Sequence, residues 1–196
     1  YLLSEMRDDV KKLILAAAEK FEQLGATVEE VSLLDPKYAI GVYTVLQRSE
    51  VSSNLARFDG IRFGHDRGTF NEENKRRIML GTYTLSSGYY DAYYKKAQAV
   101  RTKIIDDFNR AFKNFDCLIG AVSPGTALPV GATKNQPMFG EMEDILVEAS
   151  SIAGLTSISI PCGLVHKLPI GLQITSAQGN ETKVLQIAKV YEDSQK

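Results

Sequence analysis

The hydrophobic period of this chain switches repeatedly between helical and extended spacing, and that switching constrains its fold more than any other feature. Across Glu5–Leu24, the residues Val10, Leu13, Ile14, Ala17, Phe21 and Leu24 recur at helical spacing, and Gly25 follows as a stop. The next run, TVEEVSL, reads as a strand carrying Val28, Val31 and Leu33. Asp35-Pro36 then marks a turn and a new helix start, with the helix covering about Tyr38–Leu55. A loop rich in glycine and charge, RFDGIRFGHDRGTF, comes next.

Asn71 is placed to cap a helix that carries Arg76, Arg77, Ile78 and Leu80, and Gly81 should weaken or end it. Ser86 or Ser87 reads as the cap of a long helix reaching about Phe112. Its apolar stripe is Tyr90, Ala97, Val100, Ile104, Ile105, Phe108 and Phe112. FDCLIGAV suits a buried strand. A loop with three prolines leads to a helix over Glu141–Ala153, stopped by Gly154. TSISIPCG and IGLQITS are two further strands, joined by a loop containing His166 and Pro169, and Glu181–Glu192 closes the chain as an amphipathic helix. Interleaved strands and helices argue an α/β layered fold. The first half offers a single strand. A sheet with so few strands under so many helices is incomplete, so further strands are expected from polypeptide outside these residues.

Composition narrows the function classes. The chain has 196 residues, 44% hydrophobic and 24% charged, with a net charge of −1, so it has no global attraction to nucleic acid or to an anionic membrane. No apolar run approaches the roughly 20 residues that span a bilayer. No signal peptide is visible, and the chain opens on Tyr1 without an initiator Met. Cys117 and Cys162 sit in apolar surroundings, which points to reduced thiols and a cytoplasmic setting. His65 and His166 lie in polar segments with no Cys or His at metal-ligand spacing, so no metal site is expected.

The stretch NKRRIMLGTYTLSSGYYDAYYKKAQ concentrates the candidate chemistry. A serine nucleophile needs a base within reach and backbone donors for an oxyanion. Ser86-Ser87-Gly88 has one glycine and no histidine placed as a base, so it reads as a helix cap. Ser52-Ser53 and Ser150-Ser151 fall inside helical patterns. Tyr89, Tyr90, Tyr93 and Tyr94 suit packing, or, with Lys95, Lys96 and Arg101, a stacking surface for RNA. Arg76 and Arg77 point about 100° apart on a helix, so at most one faces a given pocket. That one could hold a carboxylate through paired hydrogen bonds. An amino-acid ligand would also need an anion for its ammonium group, and Asp144 is a candidate.

SSNLARFDGIRFG, KRRIMLGTYTLSSGYYDAYYKKAQAVR and GLTSISIPCG…LPIGLQI closely resemble the A subunits of the bacterial amidotransferases that act on Glu-tRNA(Gln) and Asp-tRNA(Asn), a branch of the amidase-signature family. The resemblance runs over nearly all of the chain. It implies that residues 1–196 form the C-terminal part of an amidase-signature domain, a layered α/β/α fragment with a mixed sheet covered by helices. In that family a Ser–cis-Ser–Lys triad in the N-terminal half hydrolyses glutamine, and the ammonia passes to a partner subunit that activates the misacylated tRNA. No Gly-Gly-Ser-Ser-Gly-like signature occurs here, so no residue of this chain inherits a catalytic role.

By local alignment the resemblance assigns substrate-binding roles to three positions. Tyr43 lies seven residues before the Glu50 motif, Arg77 is the second arginine of Lys-Arg-Arg, and Asp144 lies nine residues before Ala153. The implied ligand is glutamine, and the implied partners are the B and C subunits, with charged tRNA reached through the complex. No cofactor is implied for this chain, ATP and Mg being used by the partner subunit. The other readings carried forward are an amidase acting on a non-tRNA amide and a non-catalytic scaffold or RNA-binding module. Departures from the family pattern are the short segment between Phe63 and Asn71, Ala121 in place of a frequent proline, and the poorly matched Val130–Phe139.

Overall fold

A computed structural model describes residues 6–132 and 142–195. Its elements are α1 (Asp8–Gln23), α2 (Lys37–Leu55), α3 (Glu72–Leu85), α4 (Lys96–Ala111), β1 (Leu118–Ala121), α5 (Ile145–Ala153), β2 (Thr156–Val165), β3 (Leu168–Ser176) and α6 (Glu181–Asp193). A 3₁₀ turn at Arg67–Thr69 and a π-helical turn at Tyr90–Lys95 complete the inventory of described elements. The expected first residue of α1, Glu5, and that of α5, Glu141, lie outside the described residues. So do the last residues of the proline-containing loop. The chain divides into two compact units, one of residues up to Ile40 and from Ile104 onward, the other of Gly41–Lys103.

The first unit is built around β3. Its strand order is β1-β3-β2 and both pairings are antiparallel. Alternation along β3 sends Ile170, Leu172 and Ile174 to one face and Gln173 and Thr175 to the other. The apolar face packs into a core with Val10, Ile14 and Phe21 of α1 and Val184, Ala188 and Tyr191 of α6. The Phe21 and Tyr191 rings lie 5.1 Å apart. On the opposite face the Gln173 amide donates to Ser150 Oγ of α5 at 3.0 Å. The unit is therefore layered α/β/α, as the resemblance implies, but the sheet expected to be mixed is all antiparallel among the described strands.

The connection between β2 and β3 is tighter than the sequence suggests. It is a two-residue turn, His166-Lys167, with φ of 50° and 68°, and Pro169 belongs to β3 opposite Leu164. Two left-handed residues match the twist of a hairpin, which is why this turn type closes short β connections. Pro161 is accommodated because β2 is an edge strand with an irregularity between Pro161 and Gly163. Gly154, at φ 72°, ends α5 in the left-handed conformation that glycine adopts without strain.

The expected strand at TVEEVSL does not form, and Thr27–Leu33 is irregular. No described strand lies beside it to receive its backbone groups. Just after it, the Leu34 N–H donates to Asp107 Oδ2 at 2.6 Å.

In the second unit, Asn71 caps α3 as expected, its Oδ1 accepting from Asn74 N–H at 2.8 Å. Gly81 does not end α3, which continues to Leu85. The glycine serves packing instead. A methyl group at Gly81 would lie 1.9 Å from the Arg48 carbonyl oxygen of α2, so α2 and α3 touch backbone to backbone there. Hydroxyl pairs Ser49–Thr84 at 2.7 Å and Ser52–Thr82 at 2.8 Å flank that contact. Ser86 does not cap the following helix; its hydroxyl donates to the Tyr83 carbonyl at 2.7 Å and closes the end of α3. The helix after it opens with the π turn, so Tyr90 is exposed, and the buried stripe runs through Ala97, Ile104, Phe108 and Ala111.

The contact at Gly81 leaves no room for a side chain. Gly81→Ala is expected to destabilise the chain by about 1–3 kcal/mol, despite alanine's better helix propensity. Urea unfolding measures this, and an unchanged or raised midpoint would show that α2 and α3 separate at no cost.

Candidate functional site

Tyr43 of α2 and Arg77 of α3 both belong to the second unit. Glu73, one turn before Arg77, organises the local charge. Arg77 Nε donates to Glu73 Oε1 at 2.6 Å, while Arg76 takes both carboxylate oxygens through Nε and Nη2 at 2.8 Å each. Both arginines therefore share one carboxylate. They differ in exposure, Arg77 being 26% exposed against 37% for Arg76.

Hydrogen bonding to Glu73 raises the Arg77 pKa against the opposing effect of burial, and the Tyr43 phenol acts in the same upward direction. Arg77 is thus a fixed cation. Its hydrogen bond to Glu73 uses Nε, and the Tyr43 phenol is a second hydrogen-bond partner of a group with five N–H donors. A guanidinium matches a carboxylate through two parallel bonds. The sequence signal for Glu73 is its i,i+4 spacing to Arg77, the spacing at which a glutamate and a following cation meet on one helix face.

Asp144 lies in the first unit, immediately before α5. Its side chain is exposed and makes no capping bond, while its carbonyl accepts from Val147 N–H at 3.0 Å and Glu148 N–H at 3.1 Å. The structure brings Tyr43 to Arg77 within one unit and places Asp144 on the other. Next to Asp144 in sequence, Glu143 lines a cavity of about 380 Å³ with Ser123, Thr126, Ser159 and Ile170. The Ser123 hydroxyl donates to Glu143 Oε2 at 3.3 Å. Sequence reading missed this cavity, since nothing in the spacing of Ser123, Glu143 and Ser159 announces that they converge.

Several of the remaining candidates have structural partners. Ser52 bonds Thr82, and Ser150 and Ser151 donate to the Val147 carbonyl at 2.9 and 3.0 Å. The Tyr83 and Tyr89 rings lie 4.2 Å apart, and hydrogen bonding with Tyr89 is the main cause that raises the Tyr83 pKa to about 12. Tyr90 and Tyr94 stack at 5.1 Å. Lys95 lies 5.6 Å over the Tyr90 ring and pairs with Asp91 at 2.6 Å, so its charge is already shared. Cys117 and Cys162 are half-buried free thiols whose pKa values burial pushes up, which makes both poor nucleophiles.

The two arginines, Arg76 first, hold the Glu73 pKa down at about 2 from 4.5, against partial burial. A depressed carboxylate stabilises the fold above its unfolded pKa, and that contribution is lost as pH falls through the folded value. The Glu73 contribution is therefore complete above about pH 4.5 and lost towards pH 2. Glu73→Gln is expected to flatten the pH dependence of stability in that window, and acid titrations of both proteins read it out. Identical slopes would mean that Glu73 holds neither arginine in solution.

A family model described as Amidase matches residues 2–185. The A subunit of the Glutamyl-tRNA(Gln) amidotransferase of Macrococcus caseolyticus is 47% identical over 207 residues, covering 98% of this chain and 43% of that protein. The protein of the same name from Geobacillus thermodenitrificans is 44% identical over 209 residues, covering 99% of this chain and 43% of its own length. The crystal structure of the protein of that name from Thermotoga maritima aligns with a TM-score of 0.74 at 36% identity, over 95% of this chain and 39% of that one. A crystal structure of an amidase shares the fold with a TM-score of 0.80 at 24% identity, over 97% of this chain and 43% of the other. This chain thus spans less than half the length of the curated relatives it matches. Matched by the family model over most of its residues and sharing its fold with solved members, the chain belongs to the amidase family.

Proposed function

We propose that this chain is the glutamine-recognition part of the A subunit of a tRNA-dependent amidotransferase. The whole enzyme hydrolyses glutamine and supplies ammonia to convert Glu-tRNA(Gln) to Gln-tRNA(Gln), and Asp-tRNA(Asn) to Asn-tRNA(Asn). The observation that carries the reading is the state of Arg77: a cation anchored through Nε by Glu73, with the Tyr43 phenol as a second hydrogen-bond partner, on a guanidinium that has more donors than those two contacts use.

In this reading Arg77 takes the α-carboxylate of glutamine, Asp144 takes the α-ammonium, and the Tyr43 hydroxyl orients the ligand. Anchoring by Glu73 removes rotamer freedom from Arg77 before the ligand arrives, so less ordering is lost on binding. Each charged contact contributes on the order of 1.5–3 kcal/mol. Bond breaking then falls to a nucleophile and base carried by polypeptide outside these residues. The B and C subunits complete the complex, the partner subunit uses ATP and Mg to activate the charged tRNA, and the setting is cytoplasmic. The relatives named for a role in Glu-tRNA(Gln) amidotransferase support this reading over an amidase that acts on a non-tRNA amide.

Two outcomes are expected. In the full-length enzyme with its partner subunits, Arg77→Ala should raise the glutamine KM by about 10- to 100-fold, the equivalent of one lost charged contact, with a smaller change in kcat. An unchanged KM removes Arg77 from the pocket, and glutaminase activity that charged tRNA does not stimulate points to a non-tRNA amidase. The 196-residue chain alone should release no ammonia from glutamine above a blank; turnover would place a nucleophile within these residues.

A further inference from the structure

Two oxygens buried on α2, Thr44 Oγ1 and Gln47 Oε1, have no hydrogen-bond partner among the described residues. Buried polar atoms are nearly always paired, because an unpaired one has lost its bonds to water and gained nothing, so an exception calls for a cause. Thr44 had an easy partner at hand. A hydroxyl inside a helix commonly donates to the carbonyl one turn back. Ser49 does so to Val45 at 2.7 Å, Thr82 to Ile78 at 2.8 Å, Thr102 to Gln98 at 3.1 Å and Ser151 to Val147 at 3.0 Å. Thr44, for which that carbonyl is the one of Ile40, makes no such bond.

Position along α2 relates the two oxygens to the candidate site. Gln47 follows Tyr43 by four residues and Thr44 by three, spacings that make side chains neighbours on a helix surface. Tyr43 is the residue whose phenol bonds Arg77, and all four residues belong to the second unit. Thr44 and Gln47 each stay partly exposed as residues, so neither side chain is sealed in the core.

The chemistry of the ligand supplies what these oxygens lack. In the glutamine reading the carboxylate has Arg77 and the ammonium has Asp144, which leaves the side-chain carboxamide. Its nitrogen carries two N–H donors and needs two acceptors. Gln47 Oε1 is an acceptor, and the Thr44 hydroxyl oxygen can accept as well. Glutamate, the product of hydrolysis, has an ionised carboxylate in that place and no donor to offer.

We propose that Gln47 and Thr44 are specificity residues that read the carboxamide of glutamine, Gln47 Oε1 accepting one amide N–H and Thr44 Oγ1 the other. They tell glutamine from glutamate because a carboxylate leaves both oxygens unpaired. This inference rests on the glutamine reading and adds to it the residues that recognise the reacting end of the ligand.

Steady-state kinetics of the full-length enzyme with its partner subunits test it, with glutamine as substrate and glutamate as competitive inhibitor. Gln47→Leu should raise the glutamine KM about 10-fold and leave the glutamate Ki within about twofold, because only glutamine loses a bond. Thr44→Val should act in the same direction with the same selectivity. Arg77→Ala is the reference and should weaken both ligands, since both carry the α-carboxylate. If Arg77→Ala weakens both while Gln47→Leu weakens both equally or neither, the proposal is overturned and the glutamine site stands. If Arg77→Ala changes neither ligand, the glutamine site itself falls, and the proposal with it. Stability supplies a second reading. Gln47→Leu removes an unpaired buried oxygen, so the urea midpoint of the ligand-free enzyme should hold or rise. A lowered midpoint would show that Oε1 has a partner without the ligand and would overturn the proposal.

Discussion

Burial of β3 on both faces is the constraint on which the first unit depends. Leu172 and Ile174 are fully buried, and each such side chain contributes about 1.5–3 kcal/mol relative to exposure. Their face requires apolar helices, which α1 and α6 supply through Val10, Ile14, Val184 and Tyr191. The other face carries Gln173 and Thr175, whose polar groups need partners, and Ser150 of α5 and Ser157 of β2 provide them. One strand thus sorts the helices into two layers. Asp144 takes its place in the fold from this sorting, because it stands at the start of the helix that Gln173 holds.

In the second unit the corresponding constraint is the close approach of α2 and α3 at Gly81. Backbone contact at that point fixes the two helices relative to each other. Tyr43 near one end of α2 and Arg77 one turn before Gly81 are then held in mutual range. Glu73 completes the arrangement by tying down Nε of Arg77. The carboxylate also pairs with Arg76, and two cations against one anion leave the cluster with a net positive charge towards a ligand.

Much of this was legible in the residues. The α1 stripe, the Asn71 cap, the Gly154 stop and the β2 and β3 runs are local signals, and each depends on spacing within a few residues. The misreadings have one cause in common, which is that a distant partner decides the outcome. Gly81 looks like a helix breaker until the Arg48 carbonyl is seen where a side chain would go. Ser86 looks like a cap for the following helix until its hydroxyl closes the preceding one. TVEEVSL has a strand pattern, but a strand is defined by its neighbour, and none of the described strands lies beside it. In the candidate site, the charge of Arg77 and its i,i+4 link to Glu73 were readable. Tyr43 had no local signature and came only from the resemblance; Asp144 was a candidate on charge alone, and the resemblance gave it a role.

The sequence by itself determined the element types, the apolar faces and the family, because periodicity, capping residues and motifs are written along the chain. Only the tertiary structure decided that the Tyr43 phenol reaches Arg77, and that β3 is the buried centre of an antiparallel sheet. It alone decided that Gly81 is a contact and not a break. Those outcomes depend on which groups meet across the fold, and distance along a chain carries no record of distance in space.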